Sequence, residues 1–488
     1  MTTELKYCCG LVNSNKKYLS VGFANSVNAD GTSLKAKQRW NLEQGDDTVF
    51  LKFGSNYLTT DKMGNVTCSE EKTDDAKFRV ETQTDGRWAF KSVPYDKYLG
   101  CSDTVNTNAT KAEEKQLWTV HMDIHPQVNI KSNIRDRYAH LEDDELHFNE
   151  VIPWGADAIV TLEFHGGRYA LRVCNGKYAS TTGSLVDSPT DDSLFILEFH
   201  GGKAAFKHGS GKYMAAIGPK ATLQCAKAAR VKPGKDEVFV LEDSHPQGIL
   251  IASTGKVAST RQGVDVSAKH ALDTEDIAEG TFNDKETWQL EYTDGKWAVR
   301  TAEDKYWELK ATGGIQADAS SKSNNGCKFE LSHHENKVAL KGSNGKFVRP
   351  KESGHLYANS DSSEPAEKDL FIFQMVNRPQ LVLKGVQGFV GHGSRSKVEC
   401  SKPRYDVYKV TCKDGYYSFQ AENGKYWVVE DDQSVSLGST PDKFIFEYIS
   451  MSRLAIRGGR NFNYLKGEQN GDFKCAGTEI EAKTTWEV

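Results

Sequence analysis

One short phrase recurs through this chain and fixes what it can become: Asn423-Gly424-Lys425-Tyr426-Trp427. Asn-Gly accepts φ > 0 at both residues, so it predicts a tight type I′ hairpin turn, with a basic residue leading an aromatic into the next strand. The phrase returns as Asn344-Gly345-Lys346-Phe347, Asn175-Gly176-Lys177-Tyr178 and Gly211-Lys212-Tyr213. Looser copies put Tyr18, Tyr57, Tyr98, Tyr138, Val257, Tyr306, Phe389 and Tyr464 in the same slot. The twelve copies lie mostly 35 to 44 residues apart, with one longer gap between Val257 and Tyr306.

A second phrase keeps step with the first. An aromatic, any residue and an aliphatic occur at Trp40-Leu42, Phe78-Val80, Trp118-Val120, Phe195-Leu197, Phe239-Leu241, Trp288-Leu290, Phe329-Leu331, Tyr408-Val410 and Trp486-Val488. Phe371-Phe373, Phe444-Phe446 and Val160-Leu162 fill the remaining places. A spacing of two puts both side chains on one face of a strand. A third signal groups the repeats: His125-Pro126-Gln127, His245-Pro246-Gln247 and Arg378-Pro379-Gln380 stand 120 and 133 residues apart, each before a fresh strand. Fixed-period self-similarity marks a repeat architecture. Grouping by three predicts four closed units, at 1–124, 125–244, 245–377 and 378–488, each large enough for its own core. Strand signals every 8 to 12 residues with scarce helical periodicity make the class all-β, built of barrels. Closing each sheet removes the exposed edges that so many hairpins would offer. The linkers between blocks are short and apolar, so the blocks are expected to pack as a stiff body.

Composition narrows function. With 62 basic and 67 acidic residues the net charge is −5, which weighs against nucleic acid. No apolar run approaches a membrane span, and the segment Met1–Cys9 lacks a hydrophobic signal core, so a cytosolic chain is expected. The ten cysteines are scattered without zinc-ligand spacing. The sequons at Asn65 and Asn108 are then expected to stay idle. No nucleophile elbow, HExxH helix or phosphate-binding glycine loop is found, Gly391–Lys397 included. Asp143-Asp144-Glu145 reads as a loop, and Asp273–Gly280 as an acidic surface insertion. His333-His334 alternate faces of a strand, which is poor geometry for a metal, and read as two surface histidines. The expectation is no enzyme, no metal and no cofactor.

Two basic stretches stand out. Ser33-Leu34-Lys35-Ala36-Lys37-Gln38-Arg39-Trp40 sets a serine beside bases, a contact for an acidic partner that phosphate on Ser33 would oppose. Lys220, Lys227, Arg230, Lys232 and Lys235 run with no acid between them.

Four three-fold units, the start His125-Pro-Gln-Val-Asn-Ile130 and the phrases Arg137-Tyr-Ala-His140, Val151-Ile-Pro-Trp-Gly155, Ser259-Thr-Arg-Gln-Gly263, Lys310-Ala-Thr-Gly-Gly314 and Asn344-Gly-Lys-Phe-Val348 together resemble the fascin family, over essentially the whole chain. The resemblance implies four tandem β-trefoils and a cytoplasmic monomer without catalysis. It would bundle filamentous actin into tight parallel arrays in the actin cytoskeleton and cell protrusions, through at least two surfaces, one involving the first and fourth trefoils. Ser33 matches the family's inhibitory phosphorylation site, and Ser267 lies where the family has another phosphorylatable serine. Lys35 and Lys37 match two of the family's three N-terminal lysines, Ala36 replacing the middle one, and Arg39 continues the basic segment. Lys17 and Lys466 match lysines of the first-and-fourth-trefoil surface, where Arg395 and Lys397 supply the displaced bases and Gln387 replaces a family histidine. The alternative is a sugar-binding trefoil, since Gln38-Arg39-Trp40 and Gln116-Leu117-Trp118 match the Gln-x-Trp phrase of trefoil lectins. That reading expects an acid repeated in the pockets, and no consistent acid is found.

Overall fold

The computed structural model describes residues 7–45, 48–272, 282–393 and 396–488. Four separate antiparallel sheets succeed one another along the chain, joined by turns and single 3-10 turns. In the first, strands Cys8–Val12, Trp40–Gln44, Val49–Phe53, Phe78–Thr82, Trp88–Ser92 and Leu117–Met122 pair in sequence, and the last returns to the first with Met122 opposite Cys9. That is a closed six-stranded barrel. Three hairpins cap it: Tyr18–Val21 with Val27–Gly31, Asn56–Thr60 with Val66–Ser69, and Tyr98–Cys101 with Val105–Ala109. Bridges Ser26 to Thr67 and Asn65 to Asn106 tie neighbouring hairpins together. A barrel with a three-hairpin cap is a β-trefoil, and the same ring of pairings closes the sheets beginning at Gln127, Gln247 and Gln380. The protein is four tandem β-trefoils.

The two repeated phrases are coupled by one hydrogen bond. The indoles of Trp40, Trp118, Trp288 and Trp486 donate to the carbonyls of Leu19, Leu99, Ala258 and Leu465 at 3.0, 3.0, 3.2 and 3.1 Å. Each acceptor directly follows a slot residue of the first phrase. The barrel tryptophan therefore satisfies its polar atom on the cap hairpin, which keeps a large buried ring from carrying an unpaired donor.

The Asn-Gly turns differ from expectation. Only the glycine takes φ > 0, as at Gly176, Gly345 and Gly424. Gly424 N–H donates to Ala421 O at 2.9 Å, and Asn423 Oδ1 accepts the Lys425 N–H at 3.0 Å. The turn is type I followed by a left-handed glycine, and the asparagine serves through its side chain.

By compactness the chain divides into two units, Met1–Pro153 with Asp157–Asp243, and Trp154–Ala156 with Ser244–Val488. Each holds two trefoils around one continuous apolar core. The joints inside the two units follow one plan. Met122 N–H donates to Tyr169 Oη at 3.2 Å in the first, and Met375 N–H to Tyr417 Oη at 3.0 Å in the second. Glycine turns close both joints. A Cβ on Gly86 would lie 2.3 Å from the Gly167 carbonyl oxygen, and one on Gly415 would lie 2.6 Å from that of Asn336. Gly415 also has φ +77, so Gly415→Ala adds left-handed strain to a backbone clash. The expected loss is about 2 kcal/mol in urea unfolding at neutral pH; an unchanged midpoint would show that the joint gives way freely.

His333 sits in the joint of the second unit. The sequence reading put it on the surface; instead its Nε2 accepts the Tyr448 N–H at 2.9 Å and its ring stacks on Tyr448. Alternation along the strand sends one member of the histidine pair inward, and the fourth trefoil supplies the wall.

Candidate functional site

Among the described residues no group of three His, Cys, Asp or Glu side chains could hold a metal, and all ten cysteines are free thiols. What the repeats do build is charge. Opposite the slot tyrosine stands a lysine or arginine of the preceding barrel strand, as in Lys52–Tyr57, Lys91–Tyr98, Lys131–Tyr138 and Arg457–Tyr464. The cation lies 5.1 to 5.3 Å from the ring centre in these pairs. The phenol then donates to a glutamate three residues after the barrel aromatic: Tyr98 to Glu81 at 2.9 Å, Tyr138 to Glu242 at 2.8 Å, Tyr213 to Glu198 at 2.7 Å and Tyr464 to Glu447 at 2.9 Å. Tyr57 and Tyr306 do the same with Glu43 and Glu291, and Tyr178 with Glu163, three residues after Val160.

An acid recurs in seven of the twelve repeats, in the register Trp40-Asn-Leu-Glu43, as part of the strand phrase rather than the turns. His121, Ser332, Gln374 and Thr411 stand in that place elsewhere, so no acid runs consistently through the repeats. The acids are structural. At Glu291 burial favours the neutral acid, but the His245, Lys322 and Arg300 charges and the Lys322 hydrogen bond outweigh it and hold the carboxyl at about 2. Carboxylates already engaged by a phenol and a cation are not open sugar acceptors. The Gln-x-Trp glutamine is structural as well: Gln38 Nε2 donates to Ser20 Oγ at 2.9 Å and Gln38 Oε1 accepts the Lys35 N–H at 3.3 Å.

The bases singled out in the sequence fall into two groups. In the first trefoil, Lys17 enters the hairpin Tyr18–Val21/Val27–Gly31 and the Ser33–Lys37 segment leaves it, so both gather at the hairpin base. Asn13 fixes Lys17, its Oδ1 accepting the Lys17 N–H at 2.9 Å. Lys35 and Lys37 are exposed on the 3-10 turn Ala36–Gln38, anchored by Gln38, and Ser33 is half-buried at the bend before it. Arg39 points elsewhere: its Nε lies 2.8 Å from the buried Asp123 carboxylate, so its charge is largely compensated within the trefoil.

The second group belongs to the fourth trefoil. Lys397 is exposed and bridges to Ser436. Lys466 pairs across its hairpin with Lys474 and approaches Glu481 at 3.3 Å. Hydrogen bonds from Ser434, followed by the Lys397 and Lys474 charges, lower the Asp432 carboxyl. Sequence reading missed Lys474; the signal was its strand-alternate place opposite Lys466. Arg395 lies outside the described residues, as does the Asp273–Gly280 insertion. Ser267 is 1% exposed in the strand Ser267–Ala271, so a kinase reaches it only if that strand detaches.

The run 220–235 is partly neutralised by distant acids, Lys220 by Asp143 at 3.5 Å and Arg230 by the buried Glu237 at 3.9 Å. Arg349 pairs with the buried Asp369 at 2.7 Å.

Comparison with known proteins bears on the whole chain. A family model described as Fascin domain matches residues 14–120, 128–241, 253–373 and 387–488, one match in each trefoil. Fascin-2 of Bos taurus is 38% identical over 495 residues, covering 99% of this chain and 98% of its own. Fascin of Strongylocentrotus purpuratus is 38% identical over 508 residues, with 99% of both chains covered. Fascin-3 of Mus musculus is 24% identical across 98% of this chain and 96% of its own. Four domain matches and full-length relatives place this chain in the fascin family.

Proposed function

We propose that the protein crosslinks actin filaments into tight parallel bundles as a non-enzymatic monomer, through at least two basic surfaces. Fascins are actin-bundling cytoskeletal proteins, and the four fascin domains are the observation that carries the reading. A filament surface is acidic, so exposed lysines on a firm scaffold give modest, salt-sensitive affinity at each site. Crosslinking needs two sites and stiffness, and many crosslinks along a bundle add avidity. Lys17, Lys35 and Lys37 of the first trefoil supply contact charge, and so do Arg395, Lys397 and Lys466 of the fourth; Arg39 positions its segment through Asp123. Phosphate on Ser33 adds about −1.5 to −2 charge beside Lys35 and Lys37 and opposes that contact. The engagement of the repeated glutamates by tyrosine and cation disfavours a lectin.

Paired sedimentation with filamentous actin tests this. Protein and actin pelleting together at low speed shows bundling; protein pelleting only at high speed shows one working site. Ser33→Glu is expected to need roughly fivefold more protein for half-maximal bundling at physiological salt. Wild-type protein in neither pellet at low salt would overturn the reading, and a Ser33→Glu curve that overlays wild type would remove the switch.

A further inference from the structure

The most exposed large apolar side chain among the described residues is Phe23, at 95%. It stands at the tip of the hairpin Tyr18–Val21/Val27–Gly31, on the turn Phe23–Asn25. The turn is fixed: Gly22 N–H donates to Ser26 O at 2.8 Å, Ser26 N–H donates to Phe23 O at 3.2 Å, and Asn56 Nδ2 donates to Asn25 Oδ1 at 3.1 Å. Ala24 and Asn25 both take left-handed backbone, φ 52 and 61, which alanine accepts only under strain. The Ser26–Thr67 bridge holds the hairpin Asn56–Thr60/Val66–Ser69 alongside, with its Asn56 end against the turn. A strained, rigid turn that holds a phenyl ring in water stabilises nothing in the trefoil and points to use elsewhere.

We propose that Phe23 is an apolar anchor of the actin contact made by the first trefoil. This rests on the actin reading above. The same hairpin is entered through Lys17 and left through Ser33–Lys37, so the ring and the bases lie at the two ends of one element. Its strands span roughly 13 Å, well inside the roughly 30 Å width of a footprint of about 800 Å². Aromatic anchors set among solvent-accessible charges are where binding energy concentrates in protein interfaces. The charges give rate and salt dependence, and the ring gives affinity that salt does not screen.

High-speed co-sedimentation with filamentous actin at low and high salt separates the two contributions. Phe23→Ala is expected to bind about 10-fold more weakly at both salts, with Phe23→Leu recovering most of the loss. The double variant Lys35→Glu/Lys37→Glu is expected to lose binding mainly at low salt. Binding by Phe23→Ala within twofold of wild type, while the lysine variant is impaired, overturns the anchor and leaves the actin reading intact. Wild type that binds no filament overturns both. A melting midpoint lowered by Phe23→Ala shows that the ring packs within the trefoil and overturns the premise. Sedimentation velocity provides the last outcome: self-association abolished by Phe23→Ala, with actin binding unchanged, assigns the ring to a second copy of the chain and overturns the proposal.

Discussion

Glu198→Ala is expected to destabilise the first unit by about 3–5 kcal/mol, the range for breaking a buried ion pair from one side. The carboxylate is buried at the joint of the first two trefoils. It accepts from the Tyr213 hydroxyl at 2.7 Å, His200 Nε2 at 2.9 Å, Lys207 Nζ at 3.5 Å and the Thr82 hydroxyl of the neighbouring trefoil. Burial alone would raise its pKa; the His200, Thr82 and Tyr213 hydrogen bonds and the Lys207 charge override that and hold it at about 2. Alanine removes the carboxylate partner of the Thr82 hydroxyl and of His200, leaves Tyr213 only the Val231 carbonyl at 3.2 Å, and leaves Lys207 without its counter-ion. Glu198→Gln keeps an acceptor and should lose about half as much. The depressed carboxyl contributes stability above pH 4.5 that is lost as pH falls toward 2, so the alanine variant should also show a flatter profile there. Urea unfolding at pH 7 decides the matter: a loss under 1 kcal/mol would mean that water replaces the network without penalty.

Acid is expected to weaken the second unit before its carboxylates titrate. Burial drives the His333 pKa down to about 4, against a smaller opposing effect of Glu447. His245 is brought to about 4 by burial as well. In the folded protein His333 stays neutral, because its Nε2 accepts the Tyr448 amide and a proton there would break that bond. The unfolded chain takes up the proton near pH 6.5. The stability is therefore complete above pH 7 and is lost between 6.5 and 4, by roughly 3 kcal/mol per histidine. His333→Gln can still offer an oxygen to the Tyr448 amide but cannot titrate, so it should remove about half of the histidine-dependent slope. Unfolding curves at pH 7, 5.5 and 4.5 that fall in parallel for variant and wild type would exclude His333 as the sensor.

The fold was legible because its determinants are local and repeated. Tyr98 and Trp118 sit where their phrases place them, since a period of two and a turn residue act within a few neighbours. Other features depend on residues far apart in sequence. Glu43, Glu81 and Glu447 share a register, but His121, Ser332, Gln374 and Thr411 interrupt it, and its partners come from adjacent strands. Arg39 looks like a surface base until Asp123, from the far end of the same trefoil, is brought to it. Ser267 looks available until the strand that hides it is folded. His333 and Gly415 derive their roles from a neighbouring trefoil, which no local pattern announces. Phe23 reads as one more apolar residue in a strand-rich segment, and only the geometry of its turn shows the ring facing water.

Closure of each barrel by its own first and last strands has a mechanical corollary. Cys9 lies opposite Met122 and Gly248 opposite Met375, so the two ends of these trefoils leave from the same side of an antiparallel ladder. Tension applied through the chain ends would peel that ladder one rung at a time, the weak direction for a sheet. Tension applied through side chains on the barrel and cap loads many rungs in parallel. A crosslinker gripped by its surfaces and slack at its ends is loaded along its strong direction, so fusing cargo to a trefoil's terminus and pulling there would probe a resistance that a filament bundle never tests.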